Sequence, residues 1–192
     1  MADFNAIANL LFEVGILKET PRSGWARVGV ENAESVADHS YRTMIIGYAL
    51  ADLEGVDAKH VACMLLFHDL HEARLGDLSW LHRYYVGVSD VNRRVVKDQS
   101  KRMPAKMGEE YQSLYQEYDE QKTKASHVAA DAEVLETAIQ AMEYKHKASP
   151  LIQEFVDSAR EQLKTESAKK LMAEAEKTEA KHWWKGLLKR GI

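Results

Sequence analysis

The sequence predicts an all-α fold, and three observations carry that expectation. Apolar residues recur at three- and four-residue intervals through most of the 192 residues. Only three prolines are present to break helices and ten glycines to loosen them. No alternating apolar–polar run outscores the helical pattern. A hydrophobic fraction of 45% with 29% charged residues describes a folded chain long enough to bury one sizeable core, read here as a single domain over residues 1–192.

Taken in order, residues 3–18 carry Phe4, Ile7, Leu10, Leu11, Val14 and Leu17 at helical spacing. Pro21-Arg22-Ser23-Gly24-Trp25-Ala26-Arg27 then reads as a loop whose arginines can hold an anion and whose Trp25 can stack a flat ring or plug the core edge. Ser35 and Asp38 are spaced as a capping box for a helix reaching about residue 54, with His39, Thr43, Ile46 and Leu50 on its core stripe. A third helix is expected from Asp57, an N-cap residue, to about Gly76. It contains Cys63, expected as a small core residue. Residues 77–90 read as an aromatic loop with at most a helical turn. Polar helices follow over about 90–103 and 105–120, split by Pro104. A long helix is expected over 126–147, another after Ser149-Pro150, and a last one over 167–190 ending in a basic Trp183-Trp184 tail suited to docking on the body or on a second subunit.

Polar residues disturb two of these core stripes. In the third helix the stripe reads Val61, Leu65, His68, Glu72, with Asp69 beside it. In the 126–147 helix it reads Val128, Asp131, Leu135, Ala138, Met142. Burying carboxylates without partners costs several kcal/mol each, and a cation removes that cost. His39, His68, Asp69 and Asp131 therefore form a candidate metal set drawn from three helices. Two imidazoles and two carboxylates suit a divalent ion of intermediate hardness, such as Mn²⁺, Co²⁺, Fe²⁺ or Zn²⁺. Four protein ligands leave positions open for water and substrate, which suits metal-assisted hydrolysis.

His39…His68-Asp69…Asp131 resembles the H…HD…D signature of the HD-domain metal-dependent phosphohydrolases. Pro21-Arg22-Ser23-Gly24-Trp25, Glu34-Ser35-Val36-Ala37-Asp38-His39-Ser40-Tyr41-Arg42, and His68-Asp69-Leu70-His71-Glu72-Ala73 with Gly76-Asp77 narrow the likeness to the 5′-deoxynucleotidase group. The resemblance spans about residues 5–160, leaving about 161–192 as a helical extension. It implies an HD-domain helical bundle, a homodimer, and one divalent metal per subunit, with Co²⁺ or Mn²⁺ favoured and Fe²⁺, Zn²⁺ or Mg²⁺ as alternatives. It implies Glu72 as the general base, Asp77 as a second catalytic acid group at the substrate edge, and a substrate site formed by Arg22, Trp25, Arg27, Asp69, Asp77 and Trp80. Bacterial members of the group place an arginine directly before the tryptophan, where this chain has Gly24.

The expected reaction is release of phosphate from (deoxy)nucleoside 5′-monophosphates. The alternatives are another phosphorylated substrate, such as a nucleoside di- or triphosphate, and a non-catalytic nucleotide-binding protein stabilised by its metal. A net charge of −4 speaks against binding nucleic-acid polymers, and the lone Cys63 excludes an internal disulfide and a Cys-rich zinc site. The apolar runs are short and interrupted, so no membrane association and a cytoplasmic location are expected.

Overall fold

The computed structural model describes residues 3–180 and 183–184. Among them the regular structure is helical, joined by one isolated β-bridge between Pro21 and Ser35. Asp3 caps α1 (Phe4–Gly15) by accepting the Ala6 N–H, and the chain tightens into a 3₁₀ turn at Ile16–Lys18. The expected capping box opens α2 (Val36–Glu54): Ser35 Oγ accepts the Asp38 N–H and the Asp38 carboxylate accepts the Ser35 N–H. Gly55 stops that helix at φ 68°, ψ 35°, a left-handed conformation that glycine adopts without strain.

The segment expected as one helix over 57–76 is two. Asp57 caps α3 (Ala58–Phe67), and a separate turn of helix, α4 (Glu72–Leu75), follows. Between them the backbone bonds run three residues back rather than four: Leu70 N–H to Phe67 O, Glu72 N–H to Asp69 O, Ala73 N–H to Leu70 O. The His-Asp pair thus lies in a tightened stretch, as functional positions in helices often do. The 77–90 stretch holds a short helix, α5 (Trp80–Tyr85). Next come α6 (Val88–Ser100), α7 (Ala105–Glu120), α8 (Lys124–Tyr144), α9 (Gln153–Gln162) and α10 (Glu166–Ala175). The expected last helix stops at Ala175, and the tail reading lies outside the described residues apart from the exposed, mutually edge-on Trp183 and Trp184.

Helix α2 is the centre, packed on α3 and α8, while α8 also carries α9 and α10. The α2–α3 approach is close: a Cβ on Gly47 would lie 2.2 Å from Leu65 Cδ1. Leu50, Leu65 and Leu135 are fully buried in the larger core, each contributing about 1.5–3 kcal/mol by burial. A second apolar cluster gathers Leu10, Leu17, Val36, Leu70, Val96 and Tyr111. The turn at 68–71 runs from Leu65 of the first cluster to Leu70 of the second, so packing on both sides pins it. Cys63 is exposed on α3 rather than in the core. Among the described residues no helix is long and apolar enough to cross a membrane.

Candidate metal and active site

The end of α3 presents His68 with its ring fixed. His68 Nδ1 lies 2.7 Å from the Leu65 carbonyl, which can only accept, so Nδ1 carries the hydrogen and Nε2 points bare into the interior. Nε2 sits 3.1 Å from Asp69 Oδ2, and His39 Nε2 sits 3.8 Å from the same oxygen. All three side chains are buried, and neither His68 Nε2 nor Asp69 Oδ2 has a hydrogen-bond partner. Three donor atoms gathered this closely, two of them orphaned, fit a divalent cation. The charges agree. Burial alone would lower His68 and raise Asp69, yet Asp69 holds His68 above its ordinary value, and His68, Arg22 and His39 hold Asp69 well below the usual carboxylate range.

Helix α8 orients His39. The Glu136 carboxylate accepts from His39 Nδ1, which leaves Nε2 for a ligand. Glu136 is fully buried and is held in turn by Arg42, whose Nε donates to Glu136 Oε1 at 2.9 Å. Arg42 also donates to Gln140 and Glu143, zipping α2 to α8. Glu34 stands beside this network, where burial and Glu136 raise its carboxyl to about 7 against the pull of the Trp25 indole N–H, Arg22 and Arg42.

The loop before α2 is tied to the His-Asp turn. Asp77 Oδ2 accepts the Ser23 N–H at 2.6 Å, and Oδ1 lies 3.6 Å from Arg22 Nη1. Arg22 Nη1 also lies 3.9 Å from Asp69 Oδ2, and its side chain is only 13% exposed. Glu72 is buried with Oε2 unpartnered. Burial, Asp69 and Asp77 push its carboxyl well above the usual range, opposed by Arg22 and Arg83. This carboxyl is poised to hold or exchange a proton next to the cluster.

Several expected site residues stand elsewhere. Asp131 is buried, but its oxygens accept backbone N–H groups from Lys164 (2.9 and 3.1 Å) and Thr165 (2.6 Å). It is not among the gathered donor atoms, and its carboxylate meets the backbone between α9 and α10 instead. Trp25 is 2% exposed, stacked on Phe155 at 4.8 Å and edge-on to Tyr144, with its indole N–H donated to Glu34. It plugs the core instead of lining a mouth. Arg27 is exposed and donates to Ser79 Oγ, and Trp80 is 65% exposed at the start of α5. His71 is buried edge-on to Tyr115.

Three residues escaped the sequence reading. Glu136 orients His39. Glu133 accepts the Tyr118 hydroxyl, whose ring meets His68 edge-on at 5.6 Å, and its charge acts on His68, Arg22 and Arg83. Arg83 on α5 points at Glu72 from 3.9 Å. The signal for Glu136 was a second, polar stripe on α8, Glu136, Gln140 and Glu143, facing His39 and Arg42 of α2, while Glu133, three residues earlier, meets Tyr118 of α7.

A helical bundle with a buried His and His-Asp cluster at its centre defines a class of metal-site proteins. The HD-domain family model matches residues 14–179, and this chain belongs to that family. The 5′-deoxynucleotidase HDDC2 of Dictyostelium discoideum is 31% identical over 159 residues, covering 76% of this chain and 84% of that protein. Its human namesake is 29% identical over 151 residues, covering 76% and 72%. Among solved structures, a conserved hypothetical protein from Pyrococcus furiosus superposes with a TM-score of 0.74 at 30% identity, covering 89% of this chain and 99% of that one. An HD-domain phosphohydrolase from Listeria innocua, at 22% identity and a TM-score of 0.64 over 95% and 88% of the two chains, shares the fold.

Proposed function

We propose that this protein is a metal-dependent 5′-nucleotidase that hydrolyses deoxynucleoside 5′-monophosphates to nucleoside and phosphate. The observation that carries the reading is the convergence of His39 Nε2, His68 Nε2 and Asp69 Oδ2, two of them unpartnered, next to the buried Glu72. The likeness to 5′-deoxynucleotidases supports the choice of substrate. His39, His68 and Asp69 would hold the metal, and Glu133, whose charge acts on His68 and whose carboxylate accepts the Tyr118 hydroxyl, would take the fourth place expected of Asp131. Two imidazoles with two carboxylates favour Co²⁺ or Mn²⁺. When bound, the cation supplies Lewis acidity to the phosphoryl group and to water, and a field that returns Glu72 to its ionised form.

Glu72 accepts the proton of the attacking water through Oε2. The new bond forms from that water to phosphorus, the bond from phosphorus to the 5′-oxygen breaks, and the proton held by Glu72 is available to the departing oxygen. Asp77 is a positioning residue: it clamps the Ser23 backbone and sets Arg22 toward the phosphate. The exposed apolar stripe Tyr41, Ile45 and Tyr48 on α2 supports a homodimer. The deciding experiment is phosphate release from a panel of nucleoside mono-, di- and triphosphates by chelated protein, before and after adding Co²⁺, Mn²⁺, Mg²⁺ or Zn²⁺. Metal-dependent turnover of deoxynucleoside monophosphates is expected. Nucleotide binding without turnover under every metal would favour a sensor, and preference for triphosphates would move the substrate class.

A further inference from the structure

The second cation of the site comes from a segment with no assigned role. Arg83 lies in α5, where its Nε donates to the Leu78 carbonyl at 3.0 Å. That bond fixes the base of the guanidinium. Its outer nitrogens make no hydrogen bond among the described residues, and Nη2 stops 3.9 Å short of Glu72 Oε1, beyond hydrogen-bond distance. The side chain is 45% exposed, against 2% for the Glu72 carboxylate it approaches. Arg22, by contrast, sits beneath at 13% exposure, set by Asp77 and Asp69. Both guanidinium groups feel the same four carboxylates, Asp69, Glu72, Asp77 and Glu133.

That shared basin is a problem for an incoming phosphate dianion, which the carboxylates repel. It needs cationic donors whose N–H groups are not already committed. Arg27 is tied to Ser79 and lies out in solvent. Arg74 is locked by Glu13 and Asp98 on the far side of α4. Arg22 and Arg83 remain, one reaching in from the loop before α2 and one from α5.

We propose that Arg83 is a second phosphate-binding guanidinium of this site, closing on the substrate's phosphoryl oxygens from α5 while Arg22 holds them from the loop. The inference rests on the hydrolase reading for the identity of the anion, but its direct test does not require turnover. A guanidinium fork meets two phosphoryl oxygens at once, so the fork and not merely the charge matters.

The experiment is titration of inorganic phosphate into metal-loaded wild type, Arg83→Ala and Arg83→Lys by calorimetry, with metal content measured in each. In parallel, KM, kcat and the pH profile of kcat are measured with a deoxynucleoside monophosphate. Arg83→Ala is expected to weaken phosphate binding and raise KM by at least ~10-fold, the size expected for losing a charge-assisted contact. Metal content stays unchanged, and Arg83→Lys recovers only part of the affinity. Phosphate affinity unchanged in Arg83→Ala overturns the proposal, including the case where kcat falls and the acid limb of the profile shifts, which would mean that Arg83 acts only through Glu72. If wild type hydrolyses no nucleotide, the hydrolase reading fails while the phosphate titration still decides the role of Arg83.

Discussion

Asp131 and Thr165 are joined by a 2.6 Å hydrogen bond from the Thr165 N–H to Asp131 Oδ2, and Lys164 adds its own N–H to the same carboxylate. A buried aspartate of α8 thereby caps the chain entering α10, whose Ala168 and Met172 complete the larger core. Losing two to three bonds to a charged acceptor costs about 3 kcal/mol or more. Asp131→Ala should therefore lower Tm by roughly 6–12 °C for a chain of this size and leave metal content intact. Glu133→Ala should do the reverse, keeping Tm while weakening metal binding. Thermal melts with metal analysis on both variants check this pair, and metal loss in Asp131→Ala would restore it as a ligand.

His39 depends on Glu136. The carboxylate fixes which imidazole nitrogen carries the hydrogen and is itself steadied by Arg42. Glu136→Gln retains the shape but presents a weaker acceptor, so metal affinity should fall ~10–100-fold, the usual effect of removing such a partner. Arg42→Ala should fall less. Competition of each variant with a calibrated chelator measures this, and equal affinity across all three proteins would contradict it.

Glu34 gives a pH dependence with a definite sign. Burial and Glu136 raise its carboxyl from 4.5 to about 7, so between those values the folded chain keeps a proton that the unfolded chain has lost. The stability this group contributes is complete below 4.5, falls as pH rises to about 7, and is level above. Glu34→Gln can still accept the Trp25 indole N–H and removes the titration. Relative to wild type it should gain on the order of 2 kcal/mol between pH 4.5 and 8, allowing for partial exposure. Urea midpoints of chelated protein across that range test it, and parallel curves for the two proteins would exclude a raised Glu34.

Much of the fold was legible because helical periodicity and caps are local. Ser35 with Asp38, Asp57 and Pro104 marked helix ends that the structure keeps within a few residues. His39, His68 and Asp69 were legible because polar groups on apolar stripes must be explained. Asp131 sat on such a stripe too, but its explanation was a backbone three elements away, which periodicity does not encode. Glu133 and Glu136 were hidden by the opposite effect, charges off the apolar stripe that meet partners on neighbouring helices, Tyr118 of α7 for Glu133 and His39 and Arg42 of α2 for Glu136. The break after α3 depends on packing Leu65 and Leu70 into different clusters, a tertiary demand that overrides a continuous helical pattern.

Glu72 is a buried carboxyl with an unpartnered oxygen beside the candidate metal cluster, proposed to take the proton of the attacking water. Glu72→Gln keeps its volume and removes its basicity. The most direct measurement is single-turnover phosphate release from a deoxynucleoside monophosphate by Co²⁺-loaded wild type and Glu72→Gln, with metal counted in the same samples. One equivalent of metal is expected in both proteins, with phosphate release ~10²–10⁴-fold slower in the variant, the usual worth of a positioned general base. Release at near wild-type rate with metal retained would contradict it, as would loss of the metal from Glu72→Gln, which would make Glu72 a ligand instead of the base.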